Sequence, residues 1–179
     1  GCMRRALDHF PFPEAARRVW ETYFVPGGKP HARPYKDVPM FSILPSRNLV
    51  ELCVVANFVE VFLAREGHAG PVGINYLEKI QLPHLPSLYG AMLAGVGYVL
   101  MGAGIPVSIP GVMDKLARHE EATYAIHLTG ASDSHDATVR FDPRERFEGA
   151  LPALKRPYFI PIIASNLLAS VMLKKSNGR

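Results

Sequence analysis

The chain has 179 residues, of which 48% are hydrophobic and 20% charged, enough for one domain with a sizeable core and too apolar for a disordered, collagen-like or coiled-coil chain. Its net charge of +4 is unevenly spread: residues 1–40 hold seven Lys/Arg against four acids, 41–154 hold eight against twelve, and 155–179 hold five against none. The basic doublets Arg4-Arg5, Arg17-Arg18 and Lys174-Lys175 therefore read as solvated helix faces, and a nucleic-acid partner is not expected. Cys2 and Cys53 are far apart, without a CxxC partner, and no Asn-x-Ser/Thr sequon occurs. Asp8 and His9 interrupt the start at once, so no signal peptide is visible and a reducing cytoplasm is the expected setting.

In chain order, residues 13–24 form the first expected helix, with Pro13 in its first turn, Ala15, Ala16, Val19, Trp20 and Phe24 on one side and Arg17, Arg18 and Glu21 on the other. From Val25 to Pro45 the prolines 26, 30, 34, 39 and 45 and the pair Gly27-Gly28 leave room for little but a surface loop. Asn48 with Glu51 three residues on is a capping pair for a mostly apolar helix running to Glu66, which Gly67 stops in the left-handed conformation.

A short apolar strand follows at 72–76, then a helix from about Ser87 to Ala94 and a second apolar strand at 98–101. Strands without alternation of apolar and polar residues are expected to be covered on both faces, as in parallel sheets, and the unit reads as a βαβ crossover. The uncharged run from Ser87 to Ile105 approaches membrane-spanning length, but Gly90, Gly95, Gly97, Gly102 and Gly104 divide it into helix, turn and buried strand. No membrane partner is expected.

Residues 110–119 read as another helix, and 122–128 as a strand with Tyr124, Ile126 and Leu128 on one side. Residues 129–157 are polar and turn-rich, an excursion rather than core. Apolar patterning resumes at 159–163, followed by a helix from Asn166 to Lys175. The chain thus divides into a helix and proline-rich loop (1–47), a βαβ core (48–128), the excursion (129–157) and a last strand and helix (158–179). The class is α/β.

In such folds ligands collect at the C-terminal ends of the strands. Asn75 there has an amide that can donate to and accept from a planar heterocycle, with Gly73 removing bulk beside it; the alternative is that Asn75 caps its own turn. Gly102 and Gly104 permit a close backbone approach, although Val107 stands where a dinucleotide fingerprint needs its third glycine, and a tight turn explains them as well. Lys79 can reach an anion or stand in solvent, and its neighbour Glu78 points the other way. Asp133, His135 and Asp136 read as a solvated loop, His68 as structural, and the serines lack the nucleophile elbow of a hydrolase. No metal site is expected.

Three runs carry a resemblance: Val54-Val-Ala-Asn57-Phe-Val-Glu60-Val-Phe-Leu-Ala-Arg-Glu66-Gly-His68, then Gly70-Pro-Val-Gly-Ile-Asn-Tyr-Leu-Glu-Lys-Ile-Gln-Leu-Pro83, then Tyr98-Val-Leu-Met-Gly-Ala-Gly-Ile-Pro106. With the loop Tyr23-Phe-Val-Pro-Gly-Gly-Lys29 and the stretch Leu154-Lys-Arg-Pro157, the sequence resembles the nitronate monooxygenases, formerly 2-nitropropane dioxygenases. The resemblance implies an FMN-dependent TIM barrel whose relatives include enoyl reductases of fatty-acid and polyketide synthesis. It implies that residues 72–76, 98–101 and 159–163 match the third, fourth and fifth barrel strands, that Asn75 contacts the flavin, and that Gly73, Lys79, Gly102, Gly104 and Ser165 line the same mouth.

The family's glycine-rich first strand, its second strand, its catalytic histidine segment and its phosphate-binding glycines have no counterpart in these residues. The expectation is therefore a partial (β/α)8 barrel with about three parallel core strands and outer helices, a central piece of a longer enzyme with no catalytic residue of its own. It should take a small-molecule substrate, hold FMN weakly or not at all, and tend to self-associate through its unpaired sheet edges. The activity the resemblance implies is oxidation of alkyl nitronates with dioxygen; the alternatives are an FMN-dependent enoyl reductase and a non-catalytic remnant.

Overall fold

Residues 1–126 and 137–175 are described by the computed structural model. The Asp133, His135 and Asp136 loop and Leu128 lie outside them. An unforeseen first helix, α1 (Cys2–Leu7), buries Ala6 and Leu7, and α2 (Pro13–Tyr23) begins with its proline in the first turn and buries Ala15 and Ala16. Residues 25–45 contain neither helix nor strand.

Helix α3 (Arg47–Ala64) starts differently from the expected capping pair. Ser46 is the cap, its Oγ accepting from the Leu49 amide at 3.3 Å. Glu51 is instead 1% exposed and holds two guanidinium groups, those of Arg18 at 2.8 Å and Arg47 at 2.8 Å. The residue that looked like a capping acid is thus a buried anion, and Arg18 turns inward to meet it. Burial alone would raise the Glu51 carboxyl, but the two arginines outweigh it and the net shift is downward. At the other end Gly67 takes φ +79°, as a left-handed helix stop requires.

Strand β1 (Gly73–Leu77), helix α4 (His84–Leu93) and strand β2 (Tyr98–Gly102) form the expected βαβ unit. Helix α4 lies against α3 so closely that a Cβ on Gly90 would run into the Val54 backbone, 3.0 Å from its Cα. After α5 (Ile109–Ala117), strand β5 (Tyr158–Pro161) joins β2, and α7 (Asn166–Lys175) ends the described chain. The sheet order is β1-β2-β5, all parallel, with Gly73 opposite Tyr98 and Tyr98 opposite Tyr158. The architecture is α/β with an open three-stranded parallel sheet.

The sheet is not covered on both faces. One face, with Val99 and Met101 both at 0% exposure, enters the core beside α3, α4 and α5. The other face, with Leu77, Tyr158, Ile160 and Ile162, stands open. Uniformly apolar strands reported apolarity on both sides correctly; nothing in their pattern says whether both sides meet a partner.

The stretch between α5 and β5 is also more than an excursion. Strand β3 (Ala122–Ile126) leaves the parallel sheet and pairs antiparallel with β4 (Ala137–Phe141), Tyr124 opposite Val139. Tyr124 and Ile126 face inward as their alternation demands, and Val139, Phe141 and Phe147 join the core. A short α6 (Pro143–Arg146), capped by Asp142, brings Phe147 onto Phe12, their rings stacked 4.5 Å apart. His119 then ties the following loop down, accepting the Tyr89 hydroxyl at Nδ1 (2.9 Å) and donating from Nε2 to the Pro152 carbonyl (2.7 Å). Polar composition hid this because its few large apolar residues all point one way. No helix among the described residues is long and apolar enough to cross a membrane.

Candidate functional site

The C-terminal ends of the three parallel strands lie side by side, so the sheet register decides which candidate residues meet. Gly73, Asn75 and Leu77 share the open face of β1. Asn75 is opposite Leu100, which is opposite Ile160. The Asn75 side chain is exposed and makes no hydrogen bond among the described residues. It does not cap its own turn. Gly73 lacks a Cβ where Leu100 Cδ1 would lie only 3.2 Å away, so its small size lets β2 pack.

The glycine that ends β2 and the one two residues beyond it make room for the protein's own side chains. Over Gly102 lies Ile162, whose Cδ1 would be 3.0 Å from a Cβ, and over Gly104 lies the Glu78 carboxylate, which a Cβ would displace. Glu78 in turn is held from several sides. Its amide donates to the Gly102 carbonyl (2.8 Å), the Tyr124 hydroxyl donates to its Oε1 (2.6 Å) and Gln81 Nε2 donates to the same oxygen (3.1 Å).

His84 Nε2 donates to the Glu78 backbone carbonyl at 2.9 Å, and its ring meets Tyr124 edge-on. Burial lowers the His84 pKa against the opposing pull of Glu78, and burial with the adjacent Glu78 raises that of the Tyr124 hydroxyl. Glu78, Gln81, His84 and Tyr124 thus form a polar cluster at the strand end that sequence reasoning did not assemble. The only available signal was an acid directly after a strand.

Lys79 goes the opposite way from Glu78, as expected for neighbours in an extended segment. It lines an apolar cleft of about 770 Å³ with Met40, Leu52, Cys53, Asn57 and Leu82. Behind that cleft Tyr76 donates its hydroxyl to Asn57 Oδ1 (2.8 Å), Asn57 Nδ2 donates to the Cys53 carbonyl (2.9 Å), and burial raises the Cys53 thiol. Ser165, beyond β5, caps α7, its Oγ accepting from the Leu168 amide at 3.2 Å. Gly73, Asn75, Gly102 and Ser165 therefore belong to the open side of the sheet or its end, Gly104 sits under Glu78, and Lys79 belongs to the helical side.

His68 is structural as read, bonded through Nε2 to the Ala64 carbonyl (2.8 Å) and through Nδ1 to the Gly70 amide (3.1 Å). Among the described residues no cluster of three or more His, Cys, Asp or Glu side chains has the makings of a metal centre. No family model matches the chain, and no curated protein or solved structure does.

Proposed function

We propose that this chain supplies the third, fourth and fifth strands of an FMN-dependent (β/α)8 oxidoreductase of the nitronate monooxygenase type. The observation that carries the reading is Asn75: an amide without a partner among the described residues, exposed in the middle of β1 on the charge-free open face of a parallel sheet. A planar heterocycle fits such a face, because the amide can donate and accept at the ring edge while Leu77, Leu100 and Ile160 offer apolar contact.

The phosphate side does not fit. The glycine turn after β2 is filled by Ile162 and by the Glu78 carboxylate, and an acid at that point repels a phosphate instead of cradling it. When bound in a complete site, the flavin supplies the electron transfer by which an alkyl nitronate is oxidised with dioxygen. The contribution of these residues is orientation: Asn75 fixes the ring edge, and the apolar face excludes water from it.

The misfit at Glu78 favours a second reading, a chain that holds no FMN by itself and is a non-catalytic remnant. Titrating FMN against the purified chain, followed by flavin fluorescence, tests both. Weak or absent binding is expected; stoichiometric micromolar binding abolished by Asn75→Ala would show that the ring contact alone suffices. For the reaction itself, oxygen uptake with an alkyl nitronate is expected from a protein that completes the barrel around this sequence. NADPH oxidation with an enoyl thioester, and no uptake with nitronate, would assign it to the enoyl reductases instead.

A further inference from the structure

Residues of α1, α2, α3 and the loop after α2 line an open pocket of about 300 Å³. Four aromatic rings line it: Trp20, Tyr23, Phe24 and Tyr35. Trp20 and Phe24 stack at 3.7 Å between centroids. The rings already attract cations of the chain: Arg4 lies 5.0 Å over Trp20, Lys36 lies 5.3 Å over Tyr23 and Lys29 lies 4.9 Å over Tyr35. The cavity's one carboxylate, Glu60 of α3, has no ion pair or hydrogen bond among the described residues.

We propose that this cavity is a binding site for a small quaternary ammonium ion. Aromatic faces attract a cation through their quadrupoles, and a nearby carboxylate balances its charge without needing a directed hydrogen bond. A primary ammonium has three N–H groups to satisfy, and the cavity offers few acceptors for them. A trimethylammonium head has none, and its methyl groups match the apolar wall that Leu52, Val55 and Val59 present. The volume is at the small end for a ligand site, which suits a molecule of about choline's size. Lys29 lines the same cavity and Arg4 and Lys36 already lie over two of its rings, so all three cations compete with the ligand and an affinity of about millimolar is expected. The site is separate from the sheet face and does not rest on the oxidoreductase reading.

Trp20 is the chain's one tryptophan, so its fluorescence reports on the cavity directly. Titration with choline is expected to saturate the signal, and 3,3-dimethyl-1-butanol, its uncharged carbon isostere, to bind roughly tenfold more weakly. Glu60→Gln should weaken choline by a similar factor and leave the isostere unchanged, while Lys29→Met should tighten choline. Because Glu60 is exposed, circular dichroism of Glu60→Gln should match that of the unaltered chain. Equal binding of the two probes, insensitivity to Glu60→Gln, or no saturation by choline overturns the proposal. So does sedimentation with phosphatidylcholine vesicles when free choline has no effect, since the occupant would then be a lipid surface.

Discussion

On one face of the parallel sheet Val99 and Met101 are wholly enclosed by the helices, while on the other Ile160 and Tyr158 stand 42% and 60% exposed. Both faces carry the same kinds of residue. The helical face is stitched by specific contacts: Tyr76 to Asn57, Gly90 against Val54, Glu51 between two arginines. The open face has neither a charge nor an internal hydrogen bond through Asn75. Apolar composition thus measures the pressure to be covered, whereas stability comes only from the face that is covered.

That contrast is broken most severely by Gly90→Ala. The added methyl would strike the Val54 backbone, with its carbonyl carbon 2.9 Å and its Cα 3.0 Å away, and neither belongs to a side chain that can rotate aside. Helices α3 and α4 must then separate. Urea unfolding should show a loss of about 3 kcal/mol or more, and an unchanged midpoint would mean the two helices are not in close contact.

Next comes Glu51→Gln, which removes the anion but keeps its shape. The two arginines are partly exposed and can turn to water, so a loss of about 2 kcal/mol at neutral pH is expected rather than the larger penalty of a fully enclosed pair. The sign with pH follows from the direction of the shift. A carboxyl lowered on folding stabilises above its unfolded value of about 4.3, and that contribution disappears as the pH falls through the folded value. Denaturation midpoints of the unaltered chain and the variant should therefore converge in acid, and a gap that stays constant would remove the ion pair from the explanation.

A smaller effect is expected of Tyr124→Phe, which deletes the 2.6 Å hydrogen bond from the β3–β4 hairpin to Glu78. A bond to a carboxylate is worth about 1.5 kcal/mol, or about 5 °C in melting temperature for a chain of this length. No shift would show that Gln81 alone holds the acid in place.

Sequence reasoning found the βαβ unit because uniform apolar runs mark its strands and glycines divide the run from Ser87 to Ile105; Gly95 there, like Gly67 at the stop of the preceding helix, does take positive φ. It misplaced Glu51, because a capping acid and a buried anion look alike until the partner helix bearing Arg18 is known. It undervalued residues 137–147, where Val139, Phe141 and Phe147 are a minority among polar neighbours yet all turn inward. At the site, Asn75 was legible as the one polar residue in an apolar run, but it stands in the middle of β1 and not at the strand end, because the strand continues through Leu77, which pairs with Gly102. The occupant of the space over Gly104 was not, since Glu78 reaches it across the sheet from the neighbouring strand.

The smallest effect should come from the open face itself. Ile160→Thr keeps a β-branched side chain suited to a strand, and its new hydroxyl can reach water because the residue is 42% exposed. A change within about 0.5 kcal/mol is expected. Val99→Thr, one strand over and on the enclosed face, places the same hydroxyl at a fully buried position and should cost about 2 kcal/mol. The ratio of the two losses measures how one-sided the sheet is in solution. If Ile160→Thr costs about as much as Val99→Thr, something covers the open face. A cost that grows with protein concentration would identify that cover as a second copy of the chain, because only then does mass action link stability to concentration.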